Sequence, residues 1–157
     1  MEKDQIIKDH LISHLKGGEA FLPLVEMLNK IPYSRLGEKP NGLPYSFFEL
    51  FYHIKFAQKD ILDYCSAQNY DSHNWPVDYW PKKAQPDSES EWEELKTEYF
   101  EERKEFIDFI LDPETNLLAS VRNSEHLVLR EVMLVIEHTA YHTGQLLIIL
   151  RCLGLYK

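Results

Sequence analysis

Residues 130–154 read REVMLVIEHTAYHTGQLLIILRCLG, and the architecture of the whole chain turns on them. The stretch holds no proline and one internal glycine, Gly144, and carries apolar residues on most of its turns. It therefore reads as one long, largely buried helix. His138 and His142 are four residues apart within it, a spacing that places both imidazoles on one helix face. Glu131, Leu134, Val135, Gln145 and Ile149 share that stripe. A buried imidazole needs a partner. Spacing alone leaves two readings open, a metal held by the pair or two histidines hydrogen-bonded inside the core. No Glu follows His138, so the HExxH pattern of zinc proteases is missing.

His10 and His14 repeat the four-residue spacing. Their helix has an apolar stripe of Ile7, Leu11 and Leu15 with Ile12 beside it. His10, next to Asp9, faces mostly away from that stripe, so this pair reads as solvated. This first helix is expected from about Lys3 to Lys16, ended by Gly17-Gly18. A short helix follows from Leu22 to about Asn29, with Pro23 in its first turn, and Ile31-Pro32 closes it. Residues 33–43 read as an exposed loop.

The next long helix opens on Ser46 with Glu49 three residues later, the pattern of a capping box, and continues to about Ala67. Leu50, His53, Ala57, Asp60 and Tyr64 share one of its faces, so His53 is a third histidine aimed into a helix interface. A core histidine bonded to a neighbouring carboxylate is the plainer reading of His53 by itself. Residues 69–87, with three prolines and several aromatics, have no periodicity and read as a long connection packed on the body. Ser88 or Ser90 caps a helix from about Glu91 to Leu111, whose stripe is Trp92, Leu95, Tyr99, Phe106 and Ile110 and whose glutamates form a solvated face. Asp112-Pro113 ends it, a polar connector follows, and Ser124 is the expected N-cap of the last helix. No period-two strand stands out.

The expected fold is all-α. One domain over residues 1–157 forms a four-helix bundle with a long crossover between the second and third bundle helices, plus one short extra helix. Bundles build metal sites from side chains on facing helices. A histidine from one helix can meet a pair from its neighbour, so His53, His138 and His142 together would make a three-nitrogen site for a divalent metal. Zn, Ni and Fe all accept imidazole, and the sequence does not distinguish them.

Composition narrows the function classes. The chain has 157 residues, 44% hydrophobic and 27% charged, with a formal net charge of −9. No basic stripe occurs, which argues against a nucleic-acid partner. The opening MEKDQIIKDH has no apolar signal region, and no run approaches the length of a membrane span. A cytoplasmic protein with no membrane partner is the expectation. Cys65 and Cys152 read as reduced core thiols.

The chain also resembles the DinB-like superfamily, the DNA-damage-inducible group that includes YfiT-like metalloenzymes. The likeness spans nearly the whole chain. It is carried by Leu15-Lys16-Gly17-Gly18, by Gly42 to Ser46 with Glu49 and His53, by Ala57 to Leu62, by Tyr79-Trp80-Pro81 with Trp92, and by Leu129-Arg130-Glu131. Most specific is Glu137-His138-Thr139-Ala140-Tyr141-His142-Thr143-Gly144-Gln145. The family pattern has one metal-binding histidine on the second bundle helix and an HxxxH pair on the last, which match His53, His138 and His142. One departure is Glu19-Ala20-Phe21, where related sequences often carry a histidine. The resemblance implies a metal-dependent enzyme, thiol-dependent transferases among its members. It does not imply DNA repair.

Three imidazoles leave a coordination position open, as catalytic sites do. No side chain is assigned as a catalytic acid or base. Glu137 precedes His138 and is turned away from it, Glu131 is two turns distant, and Glu49 serves the capping box. Asp60 and Tyr64 are placed to touch a substrate. The expected activity is thiol-dependent transfer to a small-molecule substrate, with a low-molecular-weight thiol as partner. The alternatives are a metal-dependent hydrolase and a non-catalytic metal-binding, stress-related bundle. The last helix is apolar on its far side too, at Leu129, Ile136 and Leu147 beside Ala140 and Gly144, which leads to the expectation of a homodimer.

Overall fold

A computed structural model describes residues 2–40 and 42–157. It contains five α-helices: α1 (Glu2–Lys16), α2 (Leu24–Leu28), α3 (Phe47–Ser66), α4 (Glu89–Leu111) and α5 (Val128–Cys152). Single 3-10 turns lie at Tyr33–Arg35 and Val77–Tyr79. Among the described residues there is no strand, and the only bridge of that kind joins Ser120 to Leu127. No helix of the described residues is long and apolar enough to cross a membrane.

The long helices form a four-membered ring in which α3 packs on α4 and α5, and α1 packs on α5 and α4. Phe47 and Phe48 of α3 meet Trp92 of α4, and further along Gln58 bonds to Tyr99 and Arg103, so α3 and α4 run parallel. A parallel pair requires a long crossover, and residues 67–88 supply it. The capping box fixes the start of α3. Ser46 Oγ accepts from Glu49 N at 3.1 Å, and Glu49 Oε2 accepts from Ser46 N at 2.7 Å. Ser88 caps α4 in the same way, accepting from Glu91 N at 3.2 Å.

Two apolar clusters fill the bundle. One joins α2 to the first halves of α3 and α4 and the end of α5, with Phe47, Phe48, Phe51, Trp92 and Leu146 at its centre. The other joins α1 to the later halves of α3 and α4 and the start of α5, around Phe106, Ile110 and Val132. Polar residues occupy the waist between them. Arg103, buried on α4, donates to Gln58 Oε1, to the Leu15 carbonyl, to Tyr99 Oη at 2.7 Å and to Thr139 Oγ1 at 3.3 Å. Arg103 and its neighbour Glu102 fill the gap that the apolar stripe of α4 leaves between Tyr99 and Phe106.

A basic side chain from a distant element meets the carbonyl end of every long helix. Arg103 reaches α1 at Leu15. Arg122 reaches α3 at the carbonyls of Tyr64 (2.8 Å), Asp63 (3.2 Å) and Ala67. Lys8 Nζ reaches Asp112 O of α4 at 3.0 Å, and Arg35 reaches Leu153 O of α5 at 2.8 Å. Terminal carbonyls lack partners inside their own helix, and the helix dipole favours cations there.

Several expectations need correction. Lys8 is buried while Ile6 and Ile7 are exposed, so the inward stripe of α1 is Lys8, Ile12 and Leu15. The Lys8 ammonium has carbonyl partners at its tip, and these compensate its burial. Ser124 does not cap α5. The N-cap is Leu127 with no side-chain bond, and Ser124 Oγ instead accepts from Tyr64 Oη at 3.0 Å. Cys152 is exposed, because it lies on the outward face of a last turn whose Ile149 and Leu150 are fully buried. On α5, Leu129, Ile136 and Leu147 pack against the two clusters. The apolar residues left exposed on that helix are Met133, Tyr141 and Ile148.

Candidate metal centre

His53 lies two turns into α3, on the face toward α5, and His138 and His142 answer it from the middle of α5. One ring nitrogen from each of the three comes within 4.8 Å of the others, and this is the only such group of possible ligands among the described residues. His53 Nε2 and His138 Nε2 are 3.0 Å apart. Three imidazole nitrogens around one tetrahedral ion stand about 3.4 Å from each other, between the 3.0 Å of this pair and the 4.8 Å limit of the group. The three histidines are close enough to hold a metal ion.

The opposite nitrogens are already engaged. His53 Nδ1–H donates to the Tyr79 carbonyl at 3.1 Å, which leaves Nε2 with its lone pair facing the centre. His142 Nδ1–H donates to Gln145 Oε1 at 2.6 Å, one turn along the same helix. Partners of this kind fix tautomer and ring orientation in metal sites. Trp80 lies flat on the His53 ring, with centroids 4.3 Å apart and planes inclined by 3°. The crossover therefore clamps His53 from two sides.

The partner of His53 is thus a backbone carbonyl in the 69–87 connection, and among the described residues no carboxylate bonds to it. Burial holds the His53 imidazole down to about 4, partly offset by the Tyr79 carbonyl. Burial and the two neighbouring imidazoles hold His138 down to about 3. Burial also lowers His142. All three are neutral at neutral pH, the form that binds metal.

The centre opens into a cleft of about 460 Å³ lined by Trp75, Trp80, Leu134, Glu137, Tyr141 and the three histidines. Its walls are mostly apolar, as ligand sites generally are. Glu137 lines the mouth of this cleft, although the helical angle pointed it away from His138. The cleft is wide enough to take in the neighbouring face. The other histidines stay outside the group. His10 and His14 are exposed on α1, and His126 is 3.3 Å from Glu131. His73 sits against Phe56, with Nε2 3.7 Å from Asp60.

Sequence reasoning missed Tyr79 and Trp80 as supports of His53. The signals were their place in an aromatic connection too long to be a simple link and the Tyr79-Trp80-Pro81 run that carries part of the resemblance. Compared with family models, curated proteins and solved structures, the chain matches none.

Proposed function

We propose that the chain is a metal-dependent enzyme of the DinB-like type. In this reading it joins a low-molecular-weight thiol to an electrophilic small molecule, and His53, His138 and His142 hold the divalent ion. The observation that carries this reading is a set of three neutral imidazoles gathered at the floor of an open, apolar cleft. A structural site would be closed by a fourth protein ligand. Here the fourth direction faces a cleft large enough for a substrate. The bound ion supplies Lewis acidity that brings a thiol to its thiolate form near neutral pH.

The chain's own residues do the rest. Tyr79 and Gln145 hold the rings in the metal-binding tautomer, and Trp80, stacked on His53, covers that ring on the apolar wall. In the overall transfer a sulfur–carbon bond forms at the electrophilic carbon. The leaving group departs with its electron pair, and the thiol proton ends on it or on solvent.

No carboxylate forms a hydrogen bond or ion pair with the three histidines among the described residues, and this favours a substrate that brings its own nucleophile. The hydrolase alternative has one observation in its favour, Glu137 at the cleft mouth, where a base could act on water. The test is to add thiols to cobalt-loaded protein. A sulfur-to-cobalt charge-transfer band that His53→Ala removes supports the proposal. No band, together with ester turnover lost in Glu137→Gln, would overturn it in favour of hydrolysis.

A further inference from the structure

Beyond the histidines the cleft continues into a second chamber of about 290 Å³, sharing Trp75, Leu134 and His138 with the first. Asp60, one helix face with His53 and two turns further along α3, forms its floor. Asp60 is only 8% exposed. Its Oδ1 accepts from Tyr70 Oη at 2.8 Å, and its Oδ2 accepts from Tyr79 Oη. No Lys or Arg of the described residues lies within 4.0 Å of it, and His73 stands just beyond hydrogen-bond distance at 3.7 Å.

The other carboxylate of the chamber, Glu131, is 2% exposed but has a cation, Arg130 Nη1, at 2.6 Å. Asp60 therefore has no lysine or arginine counter-ion among the described residues, and its nearest basic group is the exposed His73. A carboxylate offers about four acceptor positions, and the two phenols use two. The walls around it are Tyr64, Tyr70, Tyr79 and Trp75. An aromatic lining around a carboxylate that has no Lys or Arg partner suits an organic cation.

We propose that this chamber is a subsite for the ammonium group of a small amine, with Asp60 as counter-ion and the tyrosine and tryptophan rings as walls. A bound molecule then has its amine here and its reacting end at the three histidines, roughly two helical turns or 10 Å away along α3. The amine subsite stands on its own geometry. Only the placing of the other end rests on the metal-centre reading. Tyr79 couples the two, because its carbonyl holds His53 while its hydroxyl holds Asp60.

The test compares n-hexylamine with n-hexanol by calorimetry at pH 8, on metal-free protein. Hexylamine is expected to bind at least about tenfold more tightly, with the preference lost in Asp60→Asn. Ile61→Trp, at a half-buried wall position, is expected to block hexylamine with Asp60 intact, which keeps the test valid if Asp60→Asn fails to fold. Equal binding of amine and alcohol, or a preference that survives both substitutions, would overturn the subsite.

Cobalt-loaded protein separates this from the metal reading, using 6-amino-1-hexanethiol against 1-hexanethiol. A charge-transfer band that saturates at about tenfold lower concentration with the aminothiol supports both. A band equal for the two thiols sinks the subsite alone. No band, with the amine preference intact in metal-free protein, sinks the metal reading and leaves the subsite standing.

Discussion

Arg103 and the three histidines are polar groups held at the same waist of the bundle, between the same two apolar clusters, yet they are provided for differently. Arg103 directs its guanidinium at four acceptors from α1, α3, α4 and α5, all belonging to the chain. The histidines have partners on their outer nitrogens, Tyr79 O and Gln145 Oε1, while their inner nitrogens face only one another and a cleft. A fully satisfied buried polar group supports the fold. The inner nitrogens of His53 and His138 have only each other, 3.0 Å apart, and the group they form with His142 is close enough to hold a metal ion. The contrast sets a polar group satisfied by the chain beside a candidate metal-holding group within a few turns of the same helices.

Removing Arg103 should have the largest effect. Arg103→Met strands the Leu15 carbonyl and the Gln58 amide oxygen in the core, with an expected loss of about 3–5 kcal/mol in denaturant melts. By contrast, His138→Leu in metal-free protein should cost less than about 1 kcal/mol, since it exchanges a poorly solvated imidazole for an apolar side chain. If the two variants lose comparable stability, the contrast fails.

Metal affinity should invert that order. Alanine at His53, His138 or His142 is expected to weaken binding by at least about 100-fold in competition with a chromophoric chelator, whereas His10→Ala leaves it unchanged. Equal retention of metal by His10→Ala and His138→Ala would remove the centre from consideration.

Acid titration sharpens the comparison further. The folded-state values of His53 and His138, about 4 and about 3, lie below the ordinary value of 6.5. As pH falls the unfolded chain takes up these protons first, so the stability the two groups contribute is complete above about pH 6.5. It is lost progressively as pH drops toward 4 and then 3. Metal-free protein should show this decline by thermal melts, and the double variant His53→Leu/His138→Leu should flatten it. Smallest of the set, Gln145→Ala frees His142 to change tautomer and should reduce metal affinity by about 10- to 100-fold.

The fold was legible because the signals that stop helices are local. Gly17-Gly18, Pro32 and Pro113 all lie outside the long helices, and the Ser46/Glu49 box marks a real helix start. The convergence of His53 with His138 and His142 was legible for a similar reason. Helical periodicity places a side chain on a face, and a bundle puts faces together. What could not be read depends on the third dimension. Arg103 sits in a glutamate-rich helix and looks solvated until Gln58 and the end of α1 surround it. Lys8 likewise looks exposed until the end of α4 is placed above it. The stacking of Trp80 on His53 comes from an aperiodic connection whose path no pattern describes.

The basic groups at the four helix ends have a consequence for how the chain folds. The pairs Arg103–Leu15, Lys8–Asp112 and Arg35–Leu153 close sequence separations of 88, 104 and 118 residues, and Arg122 reaches back 58 residues to Tyr64. A helix of this length is marginal alone in water, and here each terminal turn gets its last partner only when a remote segment arrives. Local bonds such as Gly17 N to His14 O and Leu155 N to Leu150 O close part of each end, and the remote cation completes it. Folding should accordingly be all-or-none, with the loop-closure entropy of the large loops met before the final turns are secured. Amide exchange should then show the C-terminal turns of α1, α3, α4 and α5 opening with the whole molecule, not fraying ahead of it.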